Sequence, residues 1–203
     1  SLTYEIIIIN DCSNDKSVDI ANSFAKEYEN VRVINHQKNI GKGGALKSGF
    51  ESANGNILLI QDGDLEYNPK DYPKLLSPIV DGYADAVYGS RFRTSAETRV
   101  LYFWHRIANG ILTTFSNMFT NLNLSDMETG YKLFTKETIS KINLTEKKFG
   151  VEPEITAKIS KISGIKIYEV GISYFGRTYK DGKKIGLKDA FRAIYAIIKY
   201  NVF

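Results

Sequence analysis

The first ninety residues alternate short apolar runs with helical patterns, and this alternation limits the fold more than any other feature. A continuous run of β-branched residues occupies positions 5–10 (EIIIIN), and further runs follow at 31–35, 56–61 and 85–90. Strands that are buried on both faces of a parallel sheet have this continuous apolar character. Alternating strands and helices with short connections predict an α/β sandwich with a largely parallel central sheet flanked by helices.

Helix signals lie between these runs. Ser13 or Asn14 can cap a helix that extends to about Tyr28. A second helix is predicted over residues 41–55, where a glycine ends it, and a third over residues 72–80. Each helix is short enough to serve as a crossover between neighbouring strands.

The second half of the chain departs from this rhythm. A strand is predicted at 130–134, a helix at 151–163, a long strand at 164–175 and an amphipathic helix at 187–203. Before them, residues 99–122 carry an apolar stripe at helical spacing, and we expect most such stripes to be core or packing surface. A membrane surface and a second subunit are the alternatives for this stripe and for the last helix. The stripe consists of Trp104, Ala108, Ile111, Phe115 and Phe119.

Composition excludes several classes of protein. With 203 residues, of which 43% are hydrophobic, the chain is long enough for one substantial core. The formal net charge of +4 is spread out, apart from a modest basic cluster at 177–188, and we expect no nucleic-acid partner. The single cysteine, Cys12, cannot form an internal disulfide, and no apolar run reaches the roughly 18 residues of a membrane span. We therefore expect a soluble, cytoplasmic protein.

Carboxylates follow two of the predicted strands. Asp11 comes after the first strand, and Asp62, Asp64 and Glu66 alternate after the third. In open α/β sheets the ligand crevice lies beyond the carboxyl ends of the strands, and carboxylates that converge there repel unless a cation offsets them. Oxygen ligands of this kind suit Mg²⁺ or Mn²⁺, which bind through one or two carboxylates together with substrate phosphates. A solvated turn around the Asp-Gly pair is the alternative.

Two other ligand motifs do not match the sequence. A calcium loop beginning at Asp62 needs glycine at its sixth position and glutamate at its twelfth, where Tyr67 and Pro73 stand. A phosphate-binding Walker loop needs serine or threonine after its lysine, but Lys42 is followed by Gly43.

Seven short motifs, in this order, resemble those of the family 2 glycosyltransferases, in particular the polyprenyl-phosphate sugar transferases similar to dolichyl-phosphate mannose synthase. The resemblance covers nearly the whole chain. It implies a Rossmann-like nucleotide-diphospho-sugar transferase fold of the GT-A type, an inverting transfer, and Mg²⁺ or Mn²⁺ held by an Asp-x-Asp motif. The motifs are INDCSND (9–15), NIGKGGAL (39–46), QDGDLEY (61–67), GSRF (89–92), LSDMETGYKLF (124–134), FGVEPEI (149–155) and ISYFGRTYKDGKKIG (172–186).

The resemblance also implies roles for single residues. Asp64 is expected to contact the metal, Asp62 the metal or the ribose, and Glu66 is a candidate third ligand. Asp11 matches the aspartate that recognises the base of a UDP- or GDP-sugar donor. Lys42 is expected near the nucleotide, and a solvated lysine at the start of a helix is the alternative.

The acceptor determines whether a base is needed. A sugar hydroxyl must lose a proton, whereas a lipid phosphate is already anionic at neutral pH. For a polyprenyl phosphate acceptor, Arg91, Arg177, Lys183 and Lys184 would form the clamp on acceptor or diphosphate. Asp126 is the candidate base for a hydroxyl acceptor, and capping of the following turn is its alternative role.

Members of the family open with a strand and a nucleoside-binding turn, and nothing similar precedes Tyr4. We therefore expect residues 1–203 to form a single glycosyltransferase domain that lacks its first strand and helix, a unit of about 30 residues. The expected protein works at the inner face of the membrane, with peripheral membrane contact or a homodimer as further expectations. A transferase with a hydroxyl acceptor and a non-catalytic nucleotide- or glycan-binding module remain the alternative functions.

Overall fold

The computed structural model describes residues 2–93, 99–100, 102–177 and 187–203. Its elements match the predicted ones within a few residues at most ends, and the short α5 was not predicted. The strands are β1 (Ile6–Asn10), β2 (Val31–Asn35), β3 (Ile57–Leu59), β4 (Ala86–Ser90), β5 (Lys132–Thr135) and β6 (Ile167–Gly171). The helices are α1 (Ser17–Glu27), α2 (Lys42–Ser52), α3 (Tyr72–Val80), α4 (Phe103–Thr120), α5 (Lys136–Ser140), α6 (Val151–Ser160) and α7 (Leu187–Val202).

The strands form one parallel pair and one mixed sheet. β1 pairs with β2 in parallel, and the larger sheet has the order β3-β5-β4-β6. In that sheet β4 and β6 are parallel, whereas β5 is antiparallel to both β3 and β4. The α/β class is confirmed, and in the larger sheet β3, β4 and β6 share one direction, as expected for a largely parallel sheet, while β5 runs against them. Asp126, shortly before β5, is bonded to Arg91 just beyond the carboxyl end of β4, and from that end β5 runs back along β4.

Helices cover both faces of the larger sheet. On one face, Tyr88 and Phe134 pack with Ile155 of α6 and Ile197 of α7, and on the other, Val87 belongs to a cluster with residues of α3. Successive residues of a strand point to opposite faces, which explains why Val87 and Tyr88 lie in different clusters. The carboxyl ends of the strands remain available for a site.

The apolar stripe of α4 is largely on the surface, so for most of its length it is an exposed apolar face and not part of the core. Trp104 is 75% exposed and Ile111 61% exposed, whereas Phe115 packs at the edge of the core. The buried residues of the helix are polar, and Thr113 Oγ1 accepts a hydrogen bond from the Met127 N–H at 3.2 Å. The polar side of α4 thus anchors the loop before β5. No helix in the described ranges is both long and apolar enough to cross a membrane.

Candidate functional site

The predicted site residues that the structure describes gather at the carboxyl ends of β1, β3, β4 and β6. Asp62 follows β3, and its Oδ2 lies 3.0 Å from Lys42 Nζ at the start of α2. The same ammonium lies 2.8 Å from Glu152 Oε1 on α6. A Cβ on Gly130 would lie 2.5 Å from Asp62 Oδ2, so glycine is needed for the backbone to approach this carboxylate. Lys42 therefore joins two carboxylates that are far apart in the sequence.

Asp64 lies in a crowded anionic environment. Its Oδ1 accepts a hydrogen bond from the Glu66 N–H, and its Oδ2 is 2.9 Å from Arg177 Nη2. Burial, together with the negative charges of Glu66 and Asp62, raises the pKa of the Asp64 carboxyl, although that backbone hydrogen bond and Arg177 act in the opposite direction. The crowding favours the binding of a cation beside this loop.

Glu66 accepts hydrogen bonds from the segment that follows β6, and its role as a third metal ligand stays a prediction. Its Oε2 accepts a hydrogen bond from the Tyr174 hydroxyl at 2.9 Å, and its Oε1 accepts one from the Arg177 N–H at 2.7 Å. Among the described residues, no group of three or more histidine, cysteine, aspartate or glutamate side chains is arranged to hold a metal ion. Asp62 and Asp64, whose negative charges interact, are two carboxylates of the kind that could hold a divalent cation together with substrate phosphates. In this arrangement Glu66 positions Arg177.

Arg91 and Asp126 form a buried bidentate pair. Arg91 Nε donates to Asp126 Oδ2 and its Nη2 donates to Oδ1, both at 2.7 Å. Asp126 is fully buried, and its own N–H donates to Glu169 Oε1 at 3.0 Å. Because both Asp126 oxygens accept hydrogen bonds from Arg91, this carboxylate orients a guanidinium, and its predicted role as a base would require that pair to open.

Asp11 is bonded to the segment that leads into α2. Its Oδ1 lies 2.8 Å from His36 Nδ1 and accepts the Ile40 N–H at 2.9 Å, while its Oδ2 accepts the Gly41 N–H at 2.7 Å. The carboxylate thus fixes the loop that carries Lys42. Recognition of a nucleotide base by Asp11 stays a prediction.

Sequence reasoning missed several buried ionisable residues of this region. Glu152 and Glu169 carry no local signal, because their partners come from distant segments. Burial and the charge of Glu152 raise the pKa of Glu128 to about 8. Burial of the Lys132 ammonium lowers its pKa to about 8. The predicted clamp residues Lys183 and Lys184 lie outside the described residues.

Comparisons with known proteins agree with this geometry. The family model for glycosyl transferase family 2 matches residues 1–142. A dolichyl-phosphate beta-glucosyltransferase of Trichomonas vaginalis is 29% identical over 210 residues, which cover 100% of this chain and 63% of that protein. A dolichol-phosphate mannosyltransferase of Pyrococcus furiosus is 28% identical over 204 residues, which cover 98% of this chain and 56% of that protein. The chain thus spans about three fifths of the length of these two relatives.

Solved structures support the fold. The crystal structure of glucosyl-3-phosphoglycerate synthase from Mycobacterium tuberculosis with Mn²⁺, uridine diphosphate and phosphoglyceric acid superposes with a TM-score of 0.72 at 16% identity, covering 98% of this chain and 68% of that one. An identity this low shows a common fold alone. The family model matches 142 of the 203 residues, and the chain therefore belongs to glycosyl transferase family 2.

Proposed function

We propose that this protein transfers a sugar, with inversion, from a nucleoside diphosphate sugar to a polyprenyl phosphate. The observation that carries the proposal is that Arg177 contacts Asp64, while Arg91 holds both carboxylate oxygens of Asp126 and lies over the ring of Tyr174, whose hydroxyl donates to Glu66. A phosphate acceptor needs no base, and planar guanidinium groups suit phosphate oxygens. The names of the relatives from Trichomonas and Pyrococcus, both acting on dolichyl or dolichol phosphate, support the same acceptor class.

The donor side requires a divalent cation in this proposal. Asp64 and Asp62 would hold Mg²⁺ or Mn²⁺, and the bound metal would neutralise the charge that develops on the leaving nucleoside diphosphate. The neighbour from Mycobacterium binds Mn²⁺ with uridine diphosphate, which supports the metal and makes UDP the first nucleotide to test, with GDP as the second.

Side chains of the protein itself bind the donor and acceptor phosphates in this proposal. Lys42, which lies between two carboxylates, would contact the donor phosphates in this proposal. Arg177, oriented by Glu66, and Arg91, oriented by Asp126, bind the acceptor phosphate. An acceptor oxygen then forms the new bond to the anomeric carbon as the bond from that carbon to the nucleoside diphosphate breaks, and no proton has to be removed.

The experiment that tests this function is a donor screen on the full-length protein. UDP- and GDP-sugars are supplied with Mn²⁺ or Mg²⁺, and release of the nucleoside diphosphate is measured with and without a short polyprenyl phosphate. We expect release that depends on the lipid phosphate. Release that depends on a soluble glycan instead would favour the hydroxyl acceptor, and binding of nucleotide without any release would favour a non-catalytic module.

A lipid-bound acceptor also predicts contact with a membrane surface. The outer face of α4 exposes Trp104 and Ile111, and α7 exposes Phe191, which is 71% accessible. We propose that these faces rest on the bilayer, because apolar side chains on amphipathic helices bind the boundary of headgroups and acyl chains.

The only tryptophan of the chain, Trp104, makes this contact measurable. Its fluorescence is expected to shift to shorter wavelength when vesicles of phosphatidylcholine and phosphatidylglycerol are added, and Ile111→Glu should weaken the vesicle binding. Tyr83→Glu, at an exposed apolar position after α3, is the matched control. A shift that depends on protein concentration without vesicles would instead indicate a homodimer at this face.

A further inference from the structure

The backbone of a neighbouring segment packs directly against the glycine-rich start of α2. A Cβ on Gly41 would lie 2.2 Å from the Lys147 carbonyl oxygen, and a Cβ on Gly43 would lie 2.0 Å from that of Glu146. The Gly43 N–H donates to the Lys147 carbonyl at 3.0 Å. Glycines at these positions therefore let residues 146–148 pass directly against the first turn of the helix, and Lys42 lies between them.

Residues 146–148 belong to a loop that is bonded to α7 through the carboxylate of Glu146. Glu146 is 3% exposed, and its Oε2 accepts hydrogen bonds from Arg192 Nε at 3.1 Å and Nη2 at 2.5 Å. Its Oε1 accepts one from the Tyr200 hydroxyl at 3.0 Å and lies 3.5 Å from Lys199 Nζ. Burial alone would raise the pKa of Glu146, but the hydrogen bonds from Arg192 and Tyr200 outweigh it and lower the pKa below its usual value. The carboxylate is therefore ionised at neutral pH.

The backbone of the loop is held from a second side. The N–H of Glu146 donates to Glu154 Oε2 at 2.8 Å, and the N–H of Thr145 donates to Glu154 Oε1 at 2.8 Å. Since Glu154 is fully buried on α6, the loop cannot shift freely away from that helix. Its position is thus determined by α6 through its backbone and by α7 through the Glu146 side chain.

We infer that Glu146 is a positioning residue that links helix α7 to Lys42 in the donor site, an inference that rests on the proposed function. The link runs from the Glu146 carboxylate to the next carbonyl, from that carbonyl to the Gly43 N–H, and so to the ammonium between Asp62 and Glu152. The hydrogen bond from the Gly43 N–H to the Lys147 carbonyl is the contact between the loop and α2, and the chain itself joins Glu146 to Lys147 and Gly43 to Lys42. Loss of the Glu146 charge weakens the hydrogen bonds and ion pairs that this side chain makes with Arg192, Lys199 and Tyr200 of α7. The loop and the start of α2 can then move.

The test uses Glu146→Gln, which keeps the size of the side chain. Two readouts are expected to change: amide exchange of residues 41–46 becomes faster, and the dissociation constant of UDP or GDP with Mn²⁺ rises by about 2- to 30-fold, the range typical of residues that couple sites through a packed network. The kcat at saturating donor should stay within about twofold, because Glu146 is expected to act only on donor affinity. Tyr200→Phe, which removes the hydrogen bond to Glu146 together with the contacts of this hydroxyl with Thr145 Oγ1 and Lys199 Nζ, should give a smaller change of the same kind.

Two controls separate this role from general destabilisation. Glu137→Gln removes a surface carboxylate paired with Lys141, and Asp85→Ala removes an acceptor at the opposite end of β4 from Arg91. Unchanged exchange over 41–46 in Glu146→Gln would overturn the inference, and so would an equal loss of nucleotide affinity in Asp85→Ala. If the unmodified protein bound neither UDP nor GDP, the proposed function would fail, and the link from Glu146 to Lys42 would have no role in donor binding. Faster exchange of residues 41–46 in Glu146→Gln would then show only that Glu146 holds the start of α2 in position.

Discussion

Replacing Arg177 with alanine is expected to remove most of the transfer to a polyprenyl phosphate while donor binding is better preserved. The guanidinium contacts Asp64 and Glu66, so it lies where the acceptor phosphate has to approach the donor. Removing a preorganised donor group that faces developing charge costs about 10²- to 10³-fold in kcat. Steady-state kinetics with a short polyprenyl phosphate and a separate nucleotide-binding titration measure the two effects.

Two variants give this expectation its controls. Arg177→Lys keeps a point charge but loses the planar fork and should recover part of the activity. Arg32→Ala removes an arginine that pairs with Glu5, away from the proposed site, and should leave the kinetics unchanged. If Arg177→Ala transferred sugar at a near-normal rate, the proposed clamp on the acceptor phosphate would have to be abandoned.

Asp126→Asn separates the two acceptor classes. A general base contributes about 10²- to 10⁴-fold in rate, so an activity loss of that size would point to a hydroxyl acceptor. For a phosphate acceptor we expect a smaller loss than in Arg177→Ala, because no proton is abstracted. The variant should instead lower the thermal stability, since breaking a buried ion pair such as that of Arg91 with Asp126 costs about 3–5 kcal/mol. Rates must therefore be expressed per folded molecule.

The second large effect is expected from Asp64→Asn, which should abolish metal-assisted donor binding while the fold stays intact. Asp64 lies in a loop at the crevice, and burial and neighbouring carboxylates already raise its pKa, so loss of its charge relieves repulsion. Calorimetric titration of the nucleotide with Mn²⁺, and the same titration with excess chelator, measure the loss. Thermal unfolding checks the fold.

Asp81→Asn is the matched control for this substitution, because Asp81 Oδ2 accepts a hydrogen bond from Ser77 Oγ at the end of α3, outside the proposed site. That variant should bind metal and nucleotide normally. Full transfer activity in excess chelator, or normal turnover of Asp64→Asn, would show that the carboxylate pair holds no catalytic metal.

Local patterns were sufficient for most elements of the fold. Helix and strand periods located the runs at 31–35 and 72–80, because those segments are determined by their own apolar spacing. The direction of β5 could not be predicted, since it depends on pairing with strands that are distant in the sequence. The orientation of α4 could not be predicted either, because periodicity identifies two faces of a helix without indicating which one is buried.

The site was predictable only in part. The general rule for the carboxyl ends of strands drew attention to Asp11, Asp62 and Asp64, and the structure has them just after β1 and β3. It could not reveal that Glu66 is bonded to Tyr174, or that Glu152 shares Lys42 with Asp62. These pairs join segments that only the folded chain brings together, so a single sequence carries no periodic signal for them.

The division of the strands into two sheets has a consequence for handling the protein in the laboratory. In the described part of the chain, β1 pairs only with β2, and β3 pairs only with β5, so each sheet ends in strands with one unpaired edge. Such edges present rows of N–H and C=O groups on which a strand of another molecule can align. Near β1, the side chains of Tyr4 and Ile6 are 70% and 45% exposed. We therefore expect concentrated samples to assemble edge to edge, and a charged substitution such as Ile6→Lys to improve their solubility.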